Sequence, residues 1–435
     1  MAPPWPRRCA ATAALVVAGS APSVLAWETA SSFGLGAEYS DNIALVAENG
    51  EEAWVGLGTA TVQVRDRTAN MDARLAGMLE YRDYNTSLYD DEFLLSLDAD
   101  AVWTMVPERY FWHVEDYYRQ ATTDVLAAPT PTNREDVNLF FTGPEGRWRM
   151  SPRTDAVAGG RYGHFWFEET DVDSRRLLAY ARLEHDWRPR TRLSANAELL
   201  NTAYRSSRYE DYTRGDGFLR VEHTLSRAEL TVDVGGTTVR RDQSDDLSGF
   251  LTRVAWLLPL NSYSTLEARA MAEYTDPGYD MLGMVSRGGI AQVDQQALGA
   301  VYYNEHAELA YHWTGVLFDW RAVVAARQED YEDLARDRSY EEGHLRLGYQ
   351  FSPTLRATLS GFYRRADYEQ LDVTVEDTRA GFGLHYRINS RLRASLEIGR
   401  GERDTTGSDS MLNLNDYQEN TAFISLTYER SAFRE

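Results

Sequence analysis

The dominant feature of the sequence is a two-residue alternation of apolar and polar side chains. In residues 193–199, leucine and alanine occupy the odd positions, and serine, asparagine and glutamate occupy the even ones. The same alternation recurs in residues 177–184, 345–351, 380–388 and 422–428. Because successive side chains of a β-strand point to opposite faces, this pattern indicates strands with one apolar and one polar face. Helical periodicity is weak, so the chain is predicted to be all-β.

Two kinds of connection alternate between these segments. One kind is short and contains Pro, Ser or Asn, as at residues 188–191 and 352–354. The other is longer and acidic, and often carries an Asp-Tyr step such as Asp211-Tyr212. A propeller has a similar repeat of roughly 40 residues, but each blade packs four short strands into that length. Each repeat here holds two long strands, which indicates hairpins.

Strand length and connectivity together predict the fold. Tilted strands of about 9 to 11 residues or more span a bilayer, and lipid requires a closed sheet with no free edge. We therefore predict a single transmembrane antiparallel up-and-down β-barrel of about 20 strands, from 31–40 to 421–430. The alternative is 18 strands, if residues 295–320 do not form the strands that this pattern predicts. Short turns face the periplasm, and longer acidic loops face the exterior.

The N-terminus resembles an export signal. Arg7 and Arg8 precede the apolar residues 13–18, and Val24-Leu25-Ala26 is a small-residue cleavage pattern. Residues 1–26 are predicted to be a removed Sec-type signal peptide, and residues 27–435 an outer-membrane β-barrel in the bacterial outer membrane. The only cysteine, Cys9, lies in the signal, so the mature barrel needs no disulfide.

The charge balance excludes one class of partner and suggests others. The chain holds 67 Asp or Glu against 45 basic residues, all of them arginine, and its net charge is -22. No basic face suits nucleic acid. The expected partners are outer-membrane lipid, lipopolysaccharide and the barrel-assembly machinery. The acidic loops at 90–91, 168–171 and 245–246 are typical of a solvated outer face, with divalent-ion binding as the alternative.

Eight charged side chains on the polar faces are the predicted pore-lining residues. On one hypothesis they line a polar passage and bias which solutes enter, which suits the aqueous channel of barrels of about 16 strands or more. On the other they pair across strands and only stabilise the barrel. They are Arg176, Arg182, Glu184, Arg220, Glu222, Arg346, Arg379 and Arg387.

Other candidate sites are weak. His306, Glu308 and His312 share one face of a predicted strand, but residues 306 and 312 are separated by about 20 Å at ~3.3 Å per residue, too far for one metal ion. Motifs of hydrolases and metalloproteases are missing, and without lysine no phosphate-binding P-loop is possible. We predict no catalytic residue, metal, cofactor or enzymatic activity.

Aromatic residues flank the short turns, where the barrel is expected to meet the periplasmic interface of the outer membrane. These predicted girdle residues are Trp103, Tyr110, Trp112, Trp148, Trp187, Trp256 and Phe351.

Several short motifs resemble a known family. They are Tyr39-Ser40-Asp41-Asn42, Asn133-Arg134 with Gly143-Pro144, and a repeated turn followed by Leu-x-Ala. The chain resembles the β-barrel porins associated with exosortase/PEP-CTERM and exopolysaccharide loci of Gram-negative bacteria. The resemblance implies a role in export or surface assembly, with exopolysaccharide or periplasmic export proteins as partners.

We therefore predict a porin-like channel or export conduit whose lumen is narrowed by the loop at 276–300. The alternative is a non-conducting structural or surface-binding barrel, plugged inside, whose acidic loops bind polysaccharide or organise the envelope.

Overall fold

The computed structural model describes residues 27–285, 291–292, 299–332, 334, 336–407 and 416–431. The predicted signal peptide at 1–26 lies outside the described residues. Twenty long strands form the fold: β1 Glu28–Ser40, β2 Ala53–Arg67, β3 Met71–Tyr84, β4 Glu92–Val106, β5 Tyr110–Thr122, β6 Arg134–Ser151, β7 Thr154–Phe167, β8 Ser174–Arg188, β9 Thr191–Tyr204, β10 Tyr212–Thr224, β11 Glu229–Arg241, β12 Leu247–Pro259, β13 Ser264–Thr275, β14 Tyr302–Thr314, β15 Phe318–Tyr331, β16 Arg338–Gln350, β17 Leu355–Tyr368, β18 Val373–Arg387, β19 Leu392–Gly407 and β20 Tyr417–Ser431.

The strands form one closed antiparallel barrel. Each pairs with the next along the chain, and β1 pairs with β20 from Ala30 opposite Ser431 to Ser40 opposite Thr421. Closure leaves no edge of the sheet without a partner strand, as lipid requires. The up-and-down barrel of about 20 strands is confirmed. Strand β14 lies in the segment that left 18 strands open as an alternative.

The two faces of the wall differ as the alternation predicts. Large apolar side chains are exposed on the outside, with Leu35 74%, Leu219 65% and Phe250 78% accessible. Both described termini and the short turns lie at one end, which we call the turn end. The longer loops lie at the other, the loop end. Of the predicted girdle residues, Trp103, Trp187 and Phe351 are more than half exposed beside the turns.

Regular structure outside the wall is sparse. A helix, α1, spans Pro277–Val285, and two 3₁₀ turns span Pro131–Asn133 and Glu369–Leu371. Residues Ala291–Gln292 form a two-residue extended segment. None of the helices in the described part of the chain is long and apolar enough to cross a membrane.

One seam of the barrel is incomplete at the loop end. Strand β4 pairs with β5 only as far as Leu97 opposite Tyr118. The last residues of β5 therefore have a free backbone edge on the β4 side. Ala291–Gln292 lies parallel to that edge, paired with Ala121 and Thr122. A segment that follows β13 thus reaches a strand on the far side of the barrel.

Burial is uneven along the barrel axis. Large inward side chains near the loop end are fully buried, including Phe165, Arg176, Tyr302 and Glu329. Inward side chains nearer the turn end remain accessible, as Met78 does at 42%. The interior is therefore filled at the loop end and open at the turn end.

Candidate functional site

The lumen holds the predicted site residues. On β8, Leu177 and Leu183 point outward and are about half exposed, so Arg176, Arg182 and Glu184 point inward. The same alternation places Arg220 and Glu222 of β10, Arg346 of β16, and Arg379 and Arg387 of β18 on the inner face.

Helix α1 lies inside this lumen, and its local sequence explains where the helix begins. Asp276 follows the last residue of β13, and its Oδ1 accepts the backbone N–H of Tyr279 at 3.2 Å. Pro277 occupies the first helical position, where its missing N–H costs nothing. An Asp N-cap followed by Pro is a strong helix start. The helix therefore forms directly after the chain leaves the wall.

An ion pair fixes the start of α1 to one side of the barrel. The Arg176 guanidinium donates two hydrogen bonds to the Asp276 carboxylate, at 2.7 and 2.6 Å. Both side chains are almost completely buried. The Tyr212 hydroxyl donates a third bond to Asp276 at 2.5 Å, and Arg176 lies 4.1 Å from the Phe165 ring centroid. The carboxylate is therefore fully paired although it is out of water.

Burial and pairing act in opposite directions on this carboxylate. Desolvation raises the pKa of Asp276, because the charged form is disfavoured away from water. The adjacent Arg176 charge and the hydrogen bonds it donates outweigh this effect and hold the pKa below its ordinary value. Asp276 is therefore ionised at neutral pH.

A second ion pair fixes α1 to another part of the wall. Asp280, one turn further on, accepts a hydrogen bond of 2.6 Å from Arg327 on β15. Arg327 also donates to the Tyr302 hydroxyl at 2.9 Å and lies 2.8 Å from Glu329. Since Arg176 is on β8 and Arg327 on β15, the helix bridges strands that are seven positions apart around the barrel.

An apolar contact completes the seat of α1. Met281 is 2% exposed and packs in a cluster with Leu139, Phe141, Phe165 and Phe167 of β6 and β7. These inward apolar side chains form one of several apolar clusters near the loop end. They shield the neighbouring Arg176–Asp276 pair from water.

The segment 123–133, between β5 and β6, also enters the lumen. Val125 and Leu126 pack against Tyr368, Val373 and other residues of β17 and β18. The Arg403 guanidinium on β19 donates to the carbonyl oxygen of Ala127 at 2.7 Å. The segment therefore crosses from β5 to the opposite wall.

Asn133 determines the shape of this segment. Its Oδ1 accepts hydrogen bonds from the Thr123 hydroxyl and the Asp124 backbone N–H, both at 2.8 Å. Its Nδ2 donates to the carbonyl oxygens of Asp124 and Ala128. One buried side chain thus satisfies the backbone groups that the loop would otherwise leave unpaired inside the barrel.

Beneath these two segments lies a cavity of about 1330 Å³. Ten arginines and six carboxylates line it, although the whole chain is strongly acidic. Its interior is therefore cationic, with His306 and His344 also on its wall. The described part of the loop at 276–300 does lie in the lumen, at the loop end of this cavity.

The eight predicted pore-lining residues do not form one cluster. Arg346 and Arg379 border the cavity, whereas Arg176 is covered by α1. Arg182 pairs with Glu184 at 2.7 Å, and Arg220 with Asp233 at 2.7 Å. Glu222 and Arg387 lie nearer the turn end, where Arg387 donates to the carbonyl oxygen of Pro353.

Sequence reasoning missed the residues that close the lumen. Asp276, Asp280 and Arg327 carry no local motif for an ion pair, because their partners are distant in the chain. The Asp-Pro helix start was one usable signal. Another was the composition of segment 123–133, which has a single charged side chain, Asp124, whereas most other long loops are acidic.

The metal candidates remain separate residues. His306, Glu308 and His312 all belong to β14 and share its inner face. In the ranges that the structure describes, no three His, Cys, Asp or Glu side chains come together as a metal site.

A closed antiparallel barrel with an apolar outer band and a charged lumen is an outer-membrane-type β-barrel. Three solved structures with a similar fold are receptors or transporters. The ferric enterobactin receptor PfeA of Pseudomonas aeruginosa is 11% identical, with a TM-score of 0.49 over 93% of this chain and 81% of that one. The FrpB iron transporter from Neisseria meningitidis is 8% identical, with a TM-score of 0.48 over 93% and 81%.

The siderophore receptor PirA of P. aeruginosa is 10% identical, with a TM-score of 0.47 over 92% of this chain and 80% of that one. At these identities the likeness concerns the fold alone. No family model matches the chain, and no curated protein matches it.

Proposed function

We propose that this barrel is a gated porin-like conduit of the outer membrane. In the closed state, α1 and segment 123–133 obstruct the loop end of the lumen. Solutes pass when α1 leaves its seat. The observation that carries the proposal is that α1 spans the lumen between two ion pairs, Arg176–Asp276 and Arg327–Asp280.

The chemistry of the seat supports a movable element. A buried ion pair gains Coulomb energy, but both charges lose their hydration. The net contribution of the pair to stability is therefore small. An element held mainly by such pairs can leave at modest cost if water enters and hydrates both charges. Among the described side chains of α1, Met281 packs in an apolar cluster and the Tyr279 ring lies against the Arg214 guanidinium.

The test is single-channel conductance in a planar bilayer. One variant replaces residues 277–300 by a short Gly-Ser linker, since β13 and β14 are antiparallel neighbours that a short turn can join. We expect rare or small openings from the unaltered protein and large, steady openings from the variant. A second variant that also shortens 125–131 is expected to conduct more.

The matched control shortens the loop at 242–246, which connects β11 and β12 and contributes no side chain to the cavity. It should conduct like the unaltered protein. Heat-modifiable migration on a gel checks that each variant forms a barrel. A folded variant without 277–300 and 125–131 that still fails to conduct would overturn the proposal and favour the non-conducting surface barrel.

The finer parts of the functional hypothesis stay predictions. These are the association with exopolysaccharide or exosortase-linked assembly, the periplasmic export partners, and the lack of enzymatic activity. Their support is the sequence resemblance and the missing catalytic motifs. Loss of surface polysaccharide on deletion of the gene would support the first.

A further inference from the structure

One row of inward residues contains no carboxylate. Strand pairing places these residues directly opposite one another on eight consecutive strands, β13 to β20. Because the strands are tilted, the row climbs along the inner wall from the turn end at β13 toward the loop end at β20. It consists of Thr265, His312, Arg321, Arg346, Ser360, Gly381, Gly399 and Thr421.

Two arginines face each other in this row. Arg321 of β15 is directly opposite Arg346 of β16, and both border the cavity. Side chains in directly opposite positions have Cβ atoms about 5 Å apart, and like charges there are destabilising. Both residues are exposed, so water hydrates the two guanidinium groups and partly screens their repulsion.

Neither arginine has an ion-pair partner among the described residues. The nearest carboxylate along β15 is Asp319, and it is already bound by Arg356 at 2.7 Å. This contrasts with other inward arginines such as Arg327 and Arg403, which each contact a carboxylate within 3 Å. Two positive charges therefore remain uncompensated in the cavity.

The rest of the row provides space and hydrogen-bond donors. Gly381 and Gly399 have no side chain, and the hydroxyls of Ser360 and Thr421 lie beside them. A Cβ on Gly381 would lie 2.7 Å from the Ser360 hydroxyl, and one on Gly399 would lie 2.8 Å from that of Thr421. All four residues border the same cavity as the arginines.

We infer that Arg321, Arg346 and Ser360 of this row bind the phosphate or carboxylate group of a small anionic solute. Arg321 and Arg346 donate charge-assisted hydrogen bonds to the anion, whose charge removes their mutual repulsion. Ser360 supplies a hydroxyl donor opposite Arg346. The inference rests on the proposed function, since it names the class of solute that the conduit would carry.

Equilibrium dialysis with radiolabelled inorganic phosphate, at low ionic strength and with the full-length barrel in detergent, tests the site. Arg346→Gln should weaken phosphate binding about tenfold, because one charge-assisted contact is lost. The double variant Arg321→Gln/Arg346→Gln should abolish it. The matched control is Arg192→Gln, which removes an inward arginine that already pairs with Asp186 at 2.9 Å. It should bind phosphate normally.

Thermal unfolding gives an independent readout. Phosphate should raise the unfolding temperature of the unaltered protein but not that of the double variant. Without phosphate, Arg346→Gln should be no less stable than the unaltered protein, because it removes a repulsion. A single variant that unfolds at lower temperature in phosphate-free buffer would count against unpaired charges at this site.

The outcomes separate this site from the conduit. Phosphate binding without conductance in the loop-deleted barrel would retain the site and overturn the conduit. Conductance without phosphate binding would retain the conduit and overturn the site. Equal phosphate binding by the unaltered protein and the double variant would show that these two arginines do not form the site.

Discussion

Loop aspartates have a repeated task in this barrel. In six long loops of the described part of the chain, an aspartate lies just before a strand. Its carboxylate accepts a hydrogen bond from the backbone N–H of a residue at or near the end of the previous strand. Each carboxylate thereby closes its own loop. The pairs are Asp91 with Tyr84, Asp173 with Phe167, Asp211 with Tyr204, Asp246 with Arg241, Asp337 with Tyr331 and Asp416 with Thr405.

Two of the recurrent Asp-Tyr steps, at Asp211 and Asp416, combine this closure with a second role. Neighbouring residues of a strand point to opposite faces, so the tyrosine that follows Asp211 or Asp416 turns into the lumen. The tyrosines of the five Asp-Tyr steps at the loop end are buried there: Tyr84, Tyr212, Tyr331, Tyr368 and Tyr417. The sequence showed the step and its period, but only the structure gives the two roles.

Replacing Asp211 with alanine should loosen one loop without affecting the barrel. The lost contact to the Tyr204 backbone N–H measures 2.8 Å and contributes about 1 kcal/mol. Hydrogen–deuterium exchange at Tyr204 should become faster. Asp242→Ala, in a neighbouring loop, is the control. Equal exchange in the two variants would contradict the assigned role.

The pKa of Asp276 predicts how closure depends on pH. The pKa is lower when α1 is seated than when it is free, where it is about 3.9. The contribution of this group to seating is therefore fully present above about pH 4 to 5 and is lost as the pH falls through the seated value. Conductance should be constant from pH 5 to 8 and should rise in stronger acid.

Asp276→Asn tests this assignment. The variant leaves Arg176 buried without a counter-charge, which costs on the order of 3 kcal/mol, so the lumen should open at neutral pH. The rise in acid should then be much smaller. A change of conductance between pH 6 and 8 in the unaltered protein would point to another titrating group.

The motifs of the family resemblance also act at the scale of single residues. Asn42 donates to the carbonyl oxygens of Val46 and Gln418, and Asp41 accepts from Asn420, so this motif joins β1 to β20 at the loop end. A Cβ on Gly143 would lie 2.0 Å from the carbonyl oxygen of Gly160, so only glycine fits there. These motifs stabilise the barrel wall, and we assign none of their residues a role in transport.

Among the elements, the strands were predictable and the lumen segments were not. Strand identity depends on alternation within about a dozen residues, which the sequence displays directly. The position of α1 depends on Arg176 and Arg327, which lie 100 and 47 residues from their partners. Long-range pairing of this kind leaves no periodic signal. For segment 123–133, only its low charge distinguished it from the other loops.

A double-mutant cycle tests the seat of α1 at this scale. Asp280→Asn and Arg327→Gln should each increase the open probability in single-channel records. Because both remove the same ion pair, the double variant should open little more than either single variant. Arg205→Gln, whose partner contact with Asp173 is 3.5 Å and far more exposed, is the control. Additive effects would show that the two residues do not act together.

Over the whole molecule, the charge of the cavity is opposite in sign to the net charge of the chain. The exterior loops are acidic, while the cavity holds ten arginines against six carboxylates. An ion inside the lumen responds to the nearby arginines, because salt screens the distant loops over about 10 Å at 0.1 M. This separation could not be predicted from the sequence, since it depends on which inward carboxylates reach the cavity.

The barrel without residues 277–300 should therefore prefer anions. A reversal potential measured across a salt gradient should show anion selectivity that declines as salt increases. Adding Arg346→Glu to this barrel should shift the selectivity toward cations. Cation preference without that substitution would contradict the charge assignment of the cavity.

The incomplete seam between β4 and β5 couples the barrel wall to the segment that lies inside the lumen. Ala291–Gln292 satisfies the edge of β5 where β4 has separated from it. When that segment departs, the backbone groups of Ala121 and Thr122 lose their hydrogen-bond partners. Either β4 must then pair with them or water must hydrate them. Opening is then an exchange of partners on a strand. We expect such an exchange to show hysteresis, with opening and reclosing following different voltage or time courses.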